Sequence, residues 1–93
     1  MGKNIKVLPT PDLNTNITSL LLGQAIRSKR TQSQLRLEDA AALCQVSKQT
    51  LMNIEHGKGT SQMNLVLKIC AGLGIQLHIL PWADSQEVND DWR

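Results

Sequence analysis

The chain has almost no aromatic side chains. Among its 93 residues there is no Phe and no Tyr, and Trp occurs only at positions 82 and 92. Binding single-stranded nucleic acid by base stacking needs several exposed rings, so that mode is excluded. Cysteine is scarce as well. Cys44 and Cys70 cannot build a disulfide framework. Both lie in stretches with helical apolar spacing, where a thiol behaves as a small buried hydrophobe. With His56 and His78 they make four possible zinc ligands, but no CxxC or HxxxH pairing spaces them for a metal, and no metal or other cofactor is expected. No apolar run approaches the roughly 18 residues of a membrane span. The N-terminus shows no signal-peptide pattern, so a cytoplasmic protein with no membrane partner is expected. No nucleophile–base pair, phosphate loop or carboxylate pair at a usable catalytic spacing occurs, which argues against an enzyme.

Charge is present but unevenly spread. Residues 1–83 hold nine basic against four acidic residues, a net of +5, whereas residues 84–93 hold one against four, a net of −3. A basic body suits a polyanionic partner, and the acidic end suits something else.

Apolar periodicity divides the chain into an N-terminal extension (1–16), a helical domain (17–74), a short strand (75–81) and a polar, acidic tail expected to be disordered alone (82–93). In the extension, Asn4–Leu8 could form a short strand or arm, and the rest is expected to be extended and mobile. A first helix is expected from about Ile17 to Lys29 or Thr31, with Thr15, Asn16 or Thr18 as cap and Leu22, Ile26 and the stem of Arg30 on one stripe. A second is expected over Leu37–Cys44, with Glu38 and Asp39 in its first turn and a small-residue face of Ala40, Ala41 and Cys44 that lets another helix come close. A third should run from Lys48 to Glu55 or His56, capped by Ser47 and stopped by Gly57. A fourth should cover about Gln62–Leu73, capped by Thr60 or Ser61, with Met63, Val66, Ile69, Cys70 and Leu73 buried and Gly72 in a frayed last turn.

After Gly74, the stretch Ile75–Leu80 alternates, with Ile75, Leu77 and Ile79 on one face. A lone strand leaves its backbone unpaired, so it must pair either with Asn4–Leu8 or with a second copy of the chain, the second being preferred. Trp82 is expected to pack back on the domain, and Trp92 is a candidate anchor for a protein partner.

The third helix carries the chemistry. It is short, Leu51 and Ile54 point inward, and its other face holds Lys48, Gln49, Met52 and Asn53, with Thr50 at the edge. Lys donates to guanine O6 and N7, and Gln or Asn grips adenine N6 and N7 at two points. A solvated helix face of a small bundle would have the same composition.

The block LGQAIRSKR…LRLEDAAALCQVSKQTLMNIEHGKGTSQMNLVLKICAGLGIQL, about residues 19–80, resembles the Cro/C1-type (XRE) helix-turn-helix repressors. The resemblance rests on Leu35-x-x-Glu38-Asp39-Ala40-Ala41, Val46-Ser47, Leu51-x-x-Ile54-Glu55-His56-Gly57-Lys58 and Leu73-Gly74-Ile75. It implies a mainly α fold: a four- to five-helix helix-turn-helix bundle with one C-terminal strand pairing across a dimer. It implies a structural role for Glu55, base reading by Lys48, Gln49 and Met52, and backbone positioning by Ser47, Thr50, Asn53, Arg36 and Lys58. Two recognition helices about 34 Å apart would then read an inverted repeat in double-stranded DNA. The strand and the Trp near the end resemble, within that family, the HipB-like antitoxins of HipA-type kinase toxins. This further resemblance implies an autoregulating repressor that also binds a HipA-like toxin through Trp92. The sequence departs from the pattern at Arg36-Leu37, where Thr-Gln is usual, at Gln45, where Gly is usual between the second and third helices, and in its longer N-terminal extension. The rival readings are a plain phage-type or metabolic repressor and a protein–protein adaptor, the latter suggested by Leu20, Leu21, Leu37, Leu43 and Leu65 off the core stripe.

Overall fold

The structure is a computed structural model that describes residues 5–59 and 62–82. Four helices are found among them: α1 (Ser19–Gln32), α2 (Leu37–Cys44), α3 (Lys48–Glu55) and α4 (Met63–Leu73). α1 packs on α3 and α4, and α2 packs on the same two.

The core takes Ile26 from α1, Ala40, Ala41 and Cys44 from α2, Leu51 and Ile54 from α3, and Val66, Ile69, Cys70 and Leu73 from α4. Each helix contributes most of the stripe its apolar spacing announces, with Leu22 half-buried at the margin of the core. Small residues bring the helices close. A side-chain carbon on Gly23 would collide with the backbone oxygens of Ile54 and Glu55, and one on Gly72 would stand 2.6 Å from Cys44 Sγ. Gly72 is therefore the contact point between α4 and α2 rather than part of a frayed turn. Met63 is exposed instead of buried. It opens α4, and Asn64 beside it is exposed too, so the first turn of that helix lies beyond the core.

Helix starts follow the sequence reading in two cases. Thr18 Oγ1 accepts the Leu21 amide, and Ser47 Oγ accepts the Thr50 amide, each at 3.0 Å. Such caps stabilise a helix by about 1 kcal/mol. α4 departs from expectation: its cap is Gln62, which makes no side-chain capping bond.

All four helices end in one way. Gln34, Gln45, Gly57 and Gly74 each adopt a left-handed conformation, with φ of 61°, 61°, 78° and 78°. The amide after each returns to a carbonyl five residues back: Leu35 to Arg30 (3.1 Å), Val46 to Ala41 (3.0 Å), Lys58 to Asn53 (3.1 Å) and Ile75 to Cys70 (2.8 Å). This is the Schellman stop, usually completed by an apolar residue just past the turn. Leu35, Val46 and Ile75 fill that role and pack against the core. The fourth, Lys58, does not.

The N-terminal segment is tied down rather than free. The Leu8 amide donates to Thr31 Oγ1 at 3.0 Å, and Gln32 Nε2 donates to Leu8 O at 2.9 Å and Thr10 Oγ1 at 3.0 Å. The chain then runs back along α1 to the cap at Thr18. Leu8 is therefore engaged with the end of α1, not with residues 75–80. Among the described residues there is no strand: 75–82 leave α4 without secondary structure. Ile75, expected on the dimer face with Leu77 and Ile79, packs against its own core. Trp82 does not fold back on the domain but stands exposed. Trp92, the rest of the tail, and Thr60 and Ser61 lie outside the described residues.

Candidate nucleic-acid interface

α3 places its expected face outward. Lys48 and Gln49 are exposed, Met52 and Asn53 half-buried, and Leu51 and Ile54 on the opposite side are buried. Two side-chain pairs order this surface. Ser47 Oγ, besides accepting the Thr50 amide, donates to Thr50 Oγ1 at 2.8 Å. Both hydroxyls are thus engaged in starting the helix. Gln49 Nε2 donates to Asn53 Oδ1 at 3.0 Å, one turn on. A glutamine amide has two N–H donors and a carbonyl with two lone pairs. One N–H is used on Asn53, which leaves the other N–H and the Oε1 acceptor. Those are the two groups that adenine N7 and N6–H require. The bond to Asn53 also removes rotamer freedom from Gln49 before any partner arrives.

What holds α3 in place is a buried ion pair. Arg30 Nε donates to Glu55 Oε2 at 2.6 Å and Arg30 Nη2 to Glu55 Oε1 at 3.0 Å, while Nη1 donates to Leu35 O at 2.9 Å. Both residues are buried. This planar two-point grip fixes direction as well as distance. It joins the end of α1, the α1–α2 connection and the end of α3. The family resemblance implies a structural role for Glu55, and the partner it does not identify is Arg30. The signal was available: Arg30 lies four residues beyond Ile26 on an apolar stripe, and Glu55 lies four beyond Leu51 on another. Charges on inward stripes have to meet, because a lone buried charge is costly.

The remaining expected contacts come from outside α3. Arg36 is the N-cap residue of α2, and its Nε is 3.3 Å from Asp39 Oδ2 in an exposed pair. Such pairs contribute about 0–1 kcal/mol, so the guanidinium is readily given to a stronger anion. Lys58 occupies the position after the α3 stop where the other three helices place a core-packed apolar residue, and it is exposed. The break in an otherwise uniform pattern falls three residues past the end of α3. Lys48, Gln49, Met52 and Asn53 thus share one helix, with Ser47 and Thr50 at its start, Arg36 ahead of it and Lys58 behind it. Burial raises the Cys44 and Cys70 thiols above their ordinary range, and for Cys70 the neighbouring Cys44 adds to the effect. They are packing residues, and no group of three or more possible metal ligands occurs among the described residues.

A short helix held by its end against a compact bundle, with a three-residue turn ahead of it and a polar outer face, defines a helix-turn-helix DNA-binding domain. The family model described as a helix-turn-helix domain matches residues 21–79. The chain belongs to that family, in its XRE-like form. None of the curated proteins matches the chain. Domains of this family are typically non-enzymatic and bind DNA in a sequence-specific way. No helix among the described residues is long and apolar enough to cross a membrane.

Proposed function

We propose that the protein is a homodimeric transcriptional repressor that reads an inverted repeat with α3 in the major groove. The observation that carries this reading is the ordered outer face of α3, where Gln49 is held by Asn53 beside an exposed Lys48. Lys48, Gln49 and Met52 read bases. Ser47, Thr50, Asn53, Arg36 and Lys58 set the position on the backbone. The dimer forms through residues 75–80, with Leu77 and Ile79 turned to the partner chain. Supporting this, Leu8 is bonded elsewhere, and among the described residues no backbone hydrogen bond involves 76–82.

The test is fluorescence anisotropy of a duplex from the gene's own upstream region against a scrambled duplex, at two salt concentrations. Selective binding that weakens as salt rises is expected, because phosphate contacts release counterions. Lys48→Ala with Gln49→Ala should abolish the selectivity. Equal weak binding to both duplexes would leave the adaptor reading in its place.

A second, finer reading is that this repressor is the antitoxin of a HipA-like kinase toxin, autoregulating its own operon. Its support is in the sequence: an acidic end of net −3 carrying Trp92 after a body of net +5. A HipA-like kinase should be captured by the full chain and not by one ending before Trp92, with DNA affinity equal in both. Capture of neither leaves a plain repressor.

A further inference from the structure

The outer side of α1 carries a groove of about 870 Å3. Leu21, Leu22 and Ala25 form its floor. One wall is the N-terminal strap, residues 10–17, and the other is 74–80. The strap is anchored at both ends: at Leu8 and Thr10 by the last turn of α1, and at Thr18 by becoming the cap of that helix. Its own large side chains do not fill the groove. Leu13 is 59% exposed and Ile17 63% exposed.

The chain leaving the groove has the complementary problem. Ile79, Leu80 and Trp82 are 86%, 81% and 83% exposed. An apolar cluster of this extent on a small domain marks an interaction surface. The tail cannot settle into its own groove, because residues 74–80 are one wall of it. Its backbone from 76 onward has donors and acceptors without partners among the described residues. A second copy of the same segment satisfies both requirements at once. Antiparallel pairing about a twofold axis would place residues 80–82 of one chain beside the start of the other's 75–80 segment, where the groove opens between the strap and the end of α1.

We propose that the groove between the strap and α1 is the seat for Leu80–Trp82 of a second copy, which makes the N-terminal extension a dimerisation element. This rests on the dimer reading given above and adds the seat, the occupant and a role for residues 10–17. A stable interface needs roughly 800 Å2 from each partner. Trp82 alone brings on the order of 150–250 Å2, and every contact in such an interface occurs twice.

The experiment uses the full chain with Trp92→Phe, which leaves Trp82 as the sole fluorophore, followed by sedimentation and emission over a wide dilution series. The expected result is a dimer in which Trp82 emits as a buried indole and shifts to the red on dilution, in step with dissociation. Ile17→Asp in the strap and, read by sedimentation alone, Trp82→Ala in the tail should each weaken the dimer by on the order of tenfold or more. The two together should cost little more than the worse one, because they meet. Leu13→Ser gives a milder strap variant if Ile17→Asp loses helix content. A dimer whose Trp82 stays water-exposed, or whose affinity is untouched by folded strap variants, overturns the seat alone. A parent chain that is monomeric throughout overturns the dimer reading, and the seat with it.

Discussion

The helical body and its two flanks are built from similar side chains and end in opposite states. In the body, isoleucines and leucines on helical stripes find one another and ten apolar residues are buried, while Leu20, Leu43, Met63 and Leu67 stay exposed. In the flanks, Val7, Leu13, Ile17, Leu77, Ile79, Leu80 and Trp82 are all exposed. The difference is one of partners, not hydrophobicity. A helix satisfies its backbone internally and has only its stripe to bury, whereas an extended segment must find both a surface and a hydrogen-bonding edge. The body closes on itself in one chain. The flanks stay open in one chain, and that is why a second is proposed for them.

The largest effect that would break this contrast comes from the ion pair. Glu55→Ala leaves Arg30 buried and uncompensated, at a cost of about 3–5 kcal/mol. Thermal unfolding should shift down by well over 10 °C, since about 1 kcal/mol moves a domain of this size by roughly 4–8 °C. An equal loss from a flank variant would erase the distinction between the regions.

Gly23→Ala should come next. The added carbon meets backbone oxygens, one of them 2.7 Å away, and backbone cannot swing aside as a side chain can. About 1–3 kcal/mol is expected from overpacking. DNA affinity should fall with it, because the helix forced to move is α3. Unchanged affinity with lowered stability would show that α3 has freedom the ion pair is argued to remove.

A smaller gain is expected at the helix stops. Gln45 holds φ at 61°, where a side chain costs energy and glycine does not. Gln45→Gly should stabilise the body by about 1 kcal/mol by denaturant unfolding, and Gln34→Gly should act similarly. Ile79→Ser tests the other side of the comparison. Its effect on stability should be below about 0.5 kcal/mol at high dilution, as for a surface substitution, and should grow with protein concentration by mass action. A concentration-independent loss would place Ile79 in the monomer core.

The smallest effect concerns pH. The Cys44 and Cys70 thiols are raised by burial, so the folded chain keeps protons that the unfolded chain loses. Their contribution is complete below the ordinary thiol range and is lost as pH rises through the folded values. Unfolding by urea should become easier above about pH 9, and Cys44→Ala with Cys70→Ala should flatten that limb.

The sequence reached far into the body because its signals are local. α2 begins and ends where apolar spacing and first-turn acids place it, and Ser47 starts α3 as its hydroxyl allows. Lys48 and Gln49 were legible as an outer face because Leu51 and Ile54 had to be the inner one. Arg30 was not legible in the same way: its stem fits an apolar stripe, but its charge is answered by a residue 25 positions away. Met63 has the spacing of a buried residue but lies in the first turn of α4, beyond the core, and is exposed. Gln45 stands where glycine is usual, which marks a left-handed position, whereas nothing in the sequence marks the same conformation at Gln34.

Periodicity, caps and stops are properties of a few neighbouring residues, so the sequence alone determined four helices, their order, the glycine stops and the polar face of α3. Tertiary structure alone decided which charges would meet, that Gly23 and Gly72 are contact points, that Leu8 belongs to the end of α1, and that a groove opens between the strap and 74–80. These depend on surfaces brought together from distant parts of the chain, and no short window of sequence contains both sides of such a contact.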